Sequence, residues 1–258
     1  MFLIRSLVGK VVSLAVVLLV VAGVGWYFFI REDNEVQKEA APVSEAVKQA
    51  AAASPTTAPV ATTGAAASPS AASAAAVAST LTGKNYKLVD GQSLAWYLAP
   101  EKLSRLPTSS VAKGQTSDVK GEFHLTADGL NPAKATKFTV GVASLKSEEG
   151  QRDGRMRDAL ETTKFPTATF TATKLTGMPK EFTATDTVMQ MTGMLNVHGV
   201  DKEVTWELKV KKDGEILSGL ATLKVKYTDF GMTKPAVAGF VTVEDELTLQ
   251  IQLFATPS

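Results

Sequence analysis

From Pro166 the chain reads Pro-Thr-Ala-Thr-Phe-Thr-Ala-Thr, placing Ala168, Phe170 and Ala172 on one face and Thr167, Thr169, Thr171 and Thr173 on the other. Such alternation, with β-branched polar residues opposite apolar ones, describes a strand with one buried face. The same period returns in Met189, Met191, Gly193, Leu195 and Val197, in Val204, Trp206, Leu208 and Val210, and in Leu223, Val225 and Tyr227. It closes with Leu247, Leu249, Ile251 and Leu253. Upstream it appears in Leu94, Trp96 and Leu98, in Val119, Phe123 and Leu125, and in Phe138, Val140 and Val142. Turn signals such as Asp128-Gly129, Asn131-Pro132, His198-Gly199 and Asp213-Gly214 separate these runs. About eight strands result, and no long stretch of this region keeps a 3.6-residue period. An antiparallel sheet of that size closes on itself or splits into a sandwich. Eight strands close into a barrel whose interior holds side chains or one small ligand. The expected fold class is all-β, an eight-stranded antiparallel barrel with one short charged helix near residues 152–158.

The N-terminal third differs in kind. Residues 11–30 (VVSLAVVLLVVAGVGWYFFI) carry no charge and have the length of a bilayer-spanning helix. Arg5 and Lys10 precede the run, Glu32, Asp33 and Glu35 follow it, and Trp26 and Tyr27 lie near its end. That asymmetry predicts a cytoplasmic residue 1–10 segment and an exported remainder. The run is longer than a signal-peptide core and ends in Trp-Tyr-Phe-Phe-Ile rather than small residues, so an uncleaved anchor is preferred to a cleaved signal. Residues 31–82 are dominated by Ala with Pro, Ser and Thr, and are expected to form a disordered tether, with a transient helix near 43–53. Residues 83–258 are the barrel. The expected location is the cytoplasmic membrane, single-pass, with the barrel in a periplasm or outside the cell.

Several functions are excluded by composition. With no cysteine, the chain has no disulfides, no thiolate chemistry and no Cys-based metal site. A net charge of +1 with interspersed signs leaves no nucleic-acid footprint. His124 and His198 are the only histidines; strand parity turns both away from the apolar face, and a metal site would need further ligands. No Gly-x-Ser-x-Gly elbow exists, and Asp229-Phe230-Gly231 lacks the other kinase elements, so Gly231 reads as a bend. The chain is therefore read as a non-enzyme, without metal or cofactor.

The candidate binding set is the inward face: Trp96, Phe123, Val140, Phe170, Met189, Met191, Leu195 and Trp206. A packed core and a ligand pocket both explain these residues. Small residues on the same face (Gly121, Ala168, Ala172, Gly193) suggest unfilled volume, and the methionines suit a flexible apolar guest. Each buried methylene contributes ~0.8 kcal/mol, so a chain can be held without a strong polar contact. Arg152, on the charged helix with Asp153, Arg155, Arg157 and Asp158, is either a partner for an anionic head group at the barrel mouth or part of a solvated helix with internal ion pairs.

Three separated blocks resemble the YceI-like family: RDGRMRDALETTKFPTATF at 152–170, NVHGVDKEVTWEL at 196–208, and DFGMTKPAVAGFVTVEDELTLQIQLFA at 229–255. The resemblance covers roughly residues 83–258. It implies a lipocalin-like barrel holding a polyprenyl lipid, a quinone-like molecule or another amphiphile, and it favours Arg152-Asp153 as a functional pair. Tyr86, Asp90 and Ser93 fit a Tyr-x-x-Asp-x-x-His-Ser opening, but Gln92 stands where the family has His, which puts the head-group chemistry in question. Partners are then an amphiphilic lipid and, through the N-terminal helix, a membrane; a homodimer is left open. The alternative reading is a filled barrel acting on a protein partner through loops at 100–117 and 228–240.

Overall fold

The computed structural model describes residues 34–53, 83–103, 109–235 and 241–258, and the expected anchor at 11–30 lies outside them. The described residues fall in two units, one ending at Val36 and the second running from Gln37 to Ser258. No helix among the described residues is long and apolar enough to cross a membrane.

The second unit contains α1 (Glu45–Ala53), β1 (Lys84–Leu88), β2 (Leu94–Leu103), β3 (Ser109–Thr116), β4 (Val119–Thr126), β5 (Gly129–Leu130) and β6 (Thr136–Gly141). It continues through α2 (Gly150–Ala159), β7 (Thr167–Thr176), β8 (Thr187–Val197), β9 (Val200–Asp213), β10 (Ile216–Lys226), β11 (Val241–Val243) and β12 (Glu246–Pro257). Strands β1, β4, β6, β7, β8, β9, β10 and β12 pair in that order, and β12 pairs back to β1, so the sheet closes as an antiparallel barrel of eight strands. Residues 100–103 and 109–116 of the expected 100–117 loop are strand: β2 and β3 pair from Ala95–Thr116 to Lys102–Ser109.

Local chemistry sets the connections. His198 (φ 55°) and Gly199 (φ 75°) form the two-residue link from Val197 to Val200, the left-handed pair a tight hairpin requires. The wall has one break. Between Leu88, opposite Ala255, and Leu94, opposite Gln252, residues 89–93 leave the ladder. The Val89 N–H donates to the Phe254 carbonyl (2.8 Å), and the Phe254 N–H donates to Ser93 Oγ (3.3 Å), so both edges of the break are satisfied.

The expected tether is corrected for residues 37–53, which lie along the outside of the barrel. Gln250 Oε1 accepts from the Gln37 N–H and Gln250 Nε2 donates to the Gln37 carbonyl, both at 2.8 Å. Gln252 Oε1 accepts from the Ala41 N–H (2.8 Å), and Ser218 Oγ donates to the Ala41 carbonyl (2.5 Å). Two glutamines and a serine thus supply to this strap the bonds a neighbouring strand would supply. Ala40 buries against Trp96, Leu98 and Leu220, and Val47 of α1 against Val89, Ile216 and Phe254. Val47 therefore covers the wall break from outside.

Candidate functional site

Alternation along the strands lines the barrel with apolar side chains, and the interior holds two voids. The first, about 90 Å³, is bounded by Phe123, Leu125, Phe170, Leu175, Phe182, Met189, Met191, Trp206 and Ile251 among others. The second, about 110 Å³, is bounded by Val140, Ala168, Leu195, Val197, Trp206, Tyr227, Ile251, by Met156 of α2 and by Leu160 just after it. Trp206 and Ile251 border both. Helix α2 closes one end. The 177–186 segment, leading out of the far end of β7, brings Phe182 to the other.

Phe123, Val140, Phe170, Met189, Met191, Leu195 and Trp206 all border these voids. Trp96 is corrected. It borders the second void, but it packs with Ala40, Leu98 and Leu220 apart from the main core, and its ring lies 5.6 Å beneath the Lys113 ammonium. The inward residues of β2 are Ala95, Tyr97 and Ala99, one position out of step with the expected set. The volume expected beside Gly121 and Gly193 is also corrected. A Cβ on Gly121 would stand 2.5 Å from Phe138 Cδ1, and one on Gly193 would stand 2.2 Å from the Thr171 carbonyl and 2.8 Å from Phe170 Cζ. Neighbouring rings and backbone fill those sites. Gly219 does border open space, its nearest neighbour being Val210 Cγ2 at 3.4 Å.

The α2 end is the polar end. Tyr97 and Tyr227 reach the second void, and burial pushes both phenols well above their usual pKa. The Tyr97 ring lies against Gly114, where a Cβ would stand 2.4 Å from its Cε1. Arg152 sits here, with Nη1 2.5 Å from Glu148 Oε1 and Nη2 3.6 Å from the largely buried Glu101. Burial opposes its charge, but Glu148 and Glu101 outweigh that and hold its pKa above the usual value. The helix-internal Arg152–Glu148 pair is the bland arrangement foreseen for this segment, and the guanidinium is committed to carboxylates. Asp153 caps the preceding turn, accepting from the Ser147 N–H and Oγ, each at 2.7 Å.

Both histidines are held by neighbouring groups. His124 faces outward yet is buried, its Nδ1 2.8 Å from Asn85 Oδ1. His198 Nδ1 bonds the Phe230 carbonyl at 3.2 Å. Its Nε2 lies 3.2 Å from Glu161 Oε1, close enough for an ion pair but without hydrogen-bond geometry. No group of three His, Asp or Glu among the described residues is arranged to hold a metal. Of the opening pattern, Tyr86 stacks on Phe123 (4.9 Å, 10°), and Ser93 serves the wall break. Tyr97, Tyr227, Phe182 and Ile251 were missed as lining residues. Tyr227 and Ile251 carried the right parity in sequence; Phe182 has no periodic signal.

A UPF0312 protein of Pseudomonas aeruginosa is 33% identical over 150 residues, which span 54% of this chain and 72% of that protein. Protein YceI of Salmonella arizonae is 32% identical over 148 residues, again 54% and 72%. A solved polyisoprenoid binding domain from Saccharophagus degradans superposes with a TM-score of 0.50 at 17% identity, over 67% of this chain and 98% of that one, a likeness of fold. The model of the YceI-like domain matches residues 86–255, and this chain belongs to the YceI-like family.

Proposed function

We propose that the barrel binds the apolar chain of an amphiphile, isoprenoid or quinone-like, and holds it for transport, storage or sequestration without chemical change. The carrying observation is the pair of apolar voids inside a closed barrel, with Trp206 and Ile251 bordering both. The solved relative named as polyisoprenoid binding supports the same reading. Each void alone is smaller than the ~150 Å³ engineered cavity that accepts benzene. A long chain therefore enters only as Trp206, Ile251 and the flexible Met189 and Met191 move aside and join the two. Loading buries methylenes at ~0.8 kcal/mol each, which repays that rearrangement within a few carbons.

Membrane attachment rests on the charge-free run at 11–30 and the charges flanking it. In this reading the barrel faces away from the cytoplasm, and only residues 31–36 separate the run from clamped Gln37. The small size of the voids favours one further reading, a filled barrel that serves a protein partner.

The test is to fill the voids. Ala221→Phe puts a ring into the first void and Ala168→Phe one into the second. Chain binding predicts that loading of geranylgeraniol falls at least tenfold in each variant while the circular dichroism of the barrel is kept. Undiminished loading in both variants contradicts it, and a wild-type chain that loads nothing favours the partner-binding reading.

A further inference from the structure

We infer that the α2 end of the interior is a subsite for an uncharged carbonyl oxygen on the ligand, with the Tyr227 hydroxyl as its donor. This rests on the chain-binding reading and adds the head-group class to it.

Tyr227 is 1% exposed, borders the second void, and its hydroxyl is buried with no hydrogen-bond partner among the described residues. A buried, unpaired hydroxyl is costly, and native interiors avoid it unless something else supplies the partner. Two further such groups belong to residues bordering the voids, Trp206 Nε1 and Trp96 Nε1. The indoles only donate and the tyrosine hydroxyl donates or accepts, so an acceptor on the guest satisfies any of the three.

The charges nearby decide what kind. Glu101 and Asp245 act on Tyr227, and on Tyr97 the Arg152 cation acts first, opposed by Asp153, Glu148 and Glu101. The facing cation, Arg152, is already held by Glu148 and Glu101. A phosphate placed here would meet carboxylates and displace a formed ion pair. A ketone, quinone, amide or ester carbonyl accepts from Tyr227 at no such cost. The site therefore selects for a neutral head and against an anionic one.

The experiment is competitive loading of the full-length chain with geranylgeranylacetone, phytane and geranylgeranyl phosphate, read by native mass spectrometry. The wild type is expected to prefer the ketone to the hydrocarbon by about threefold to tenfold, the range of one neutral hydrogen bond. Tyr227→Phe should remove that preference. Its ligand-free melting temperature should not fall, because the hydroxyl has no partner to lose. A ketone preference that survives Tyr227→Phe, a preference for the phosphate, or a lowered ligand-free melting temperature overturns the subsite while leaving chain binding intact. Failure of all three probes to load overturns both.

Discussion

Tyr97 and Tyr227 carry phenols whose pKa burial has raised, and this gives the interior an alkaline signature. Unfolded tyrosine ionises near pH 10. The folded state holds these protons more tightly, so the stability they contribute is complete below about pH 10 and is lost as pH rises beyond it. Tyrosinate absorbance from this pair is expected to appear together with loss of the near-ultraviolet dichroism of the barrel; ionisation well ahead of unfolding would contradict their burial. Glycines give a second test. Gly193→Ala forces a methyl onto the Thr171 carbonyl, which the ladder fixes, and should cost ~1–3 kcal/mol in denaturant unfolding. Gly219→Ala meets ordinary contact and should fall within ~0.5 kcal/mol of wild type. Equal costs would refute the packing described. Which way Phe170 or Met191 points was legible from parity alone. Whether Gly193 leaves a hole was not, because the answer lies in the Phe170 ring on the adjacent strand.

The strap is the element that sequence periodicity hid. Its own residues are Ala-rich and show no strong apolar face, and the groups that hold it, Gln250, Gln252 and Ser218, are polar positions that look solvent-facing. The legible clue lay in β2, where Leu94-Ala95-Trp96-Tyr97-Leu98-Ala99 is apolar at successive positions. A strand apolar on both faces is covered on both faces. Tyr97 packs in the main core while Trp96 and Leu98 form a separate cluster, so the lining of β2 is shifted by one from the expected Leu94, Trp96 and Leu98. Gln250→Ala removes both bonds to Gln37, whose exposed backbone groups water can then satisfy, at an expected cost of ~0.5–1.5 kcal/mol. Amide exchange should localise the effect: protection of Gln37 and Ala41 collapses, while β8 and β9 keep theirs. Unchanged protection at Gln37 would mean that the strap is held by its side chains alone.

At the scale of the whole molecule, a closed barrel with apolar walls was legible because eight alternating runs admit few other arrangements, and the ring from β1 to β12 has that form. The division of its interior was not legible, since Trp206 and Ile251 meet only after strands distant in sequence are brought together. The two voids make the empty barrel a nearly packed object and the loaded barrel a rearranged one. Ligand binding should therefore raise the melting temperature in proportion to occupancy. The most direct measurement is native mass spectrometry of the full-length chain, produced in a bacterial host and gently purified, with organic extraction of whatever it carries. The account predicts a one-to-one adduct that extracts as an apolar chain. A bare protein mass that stays bare after incubation with prenyl lipids would contradict it.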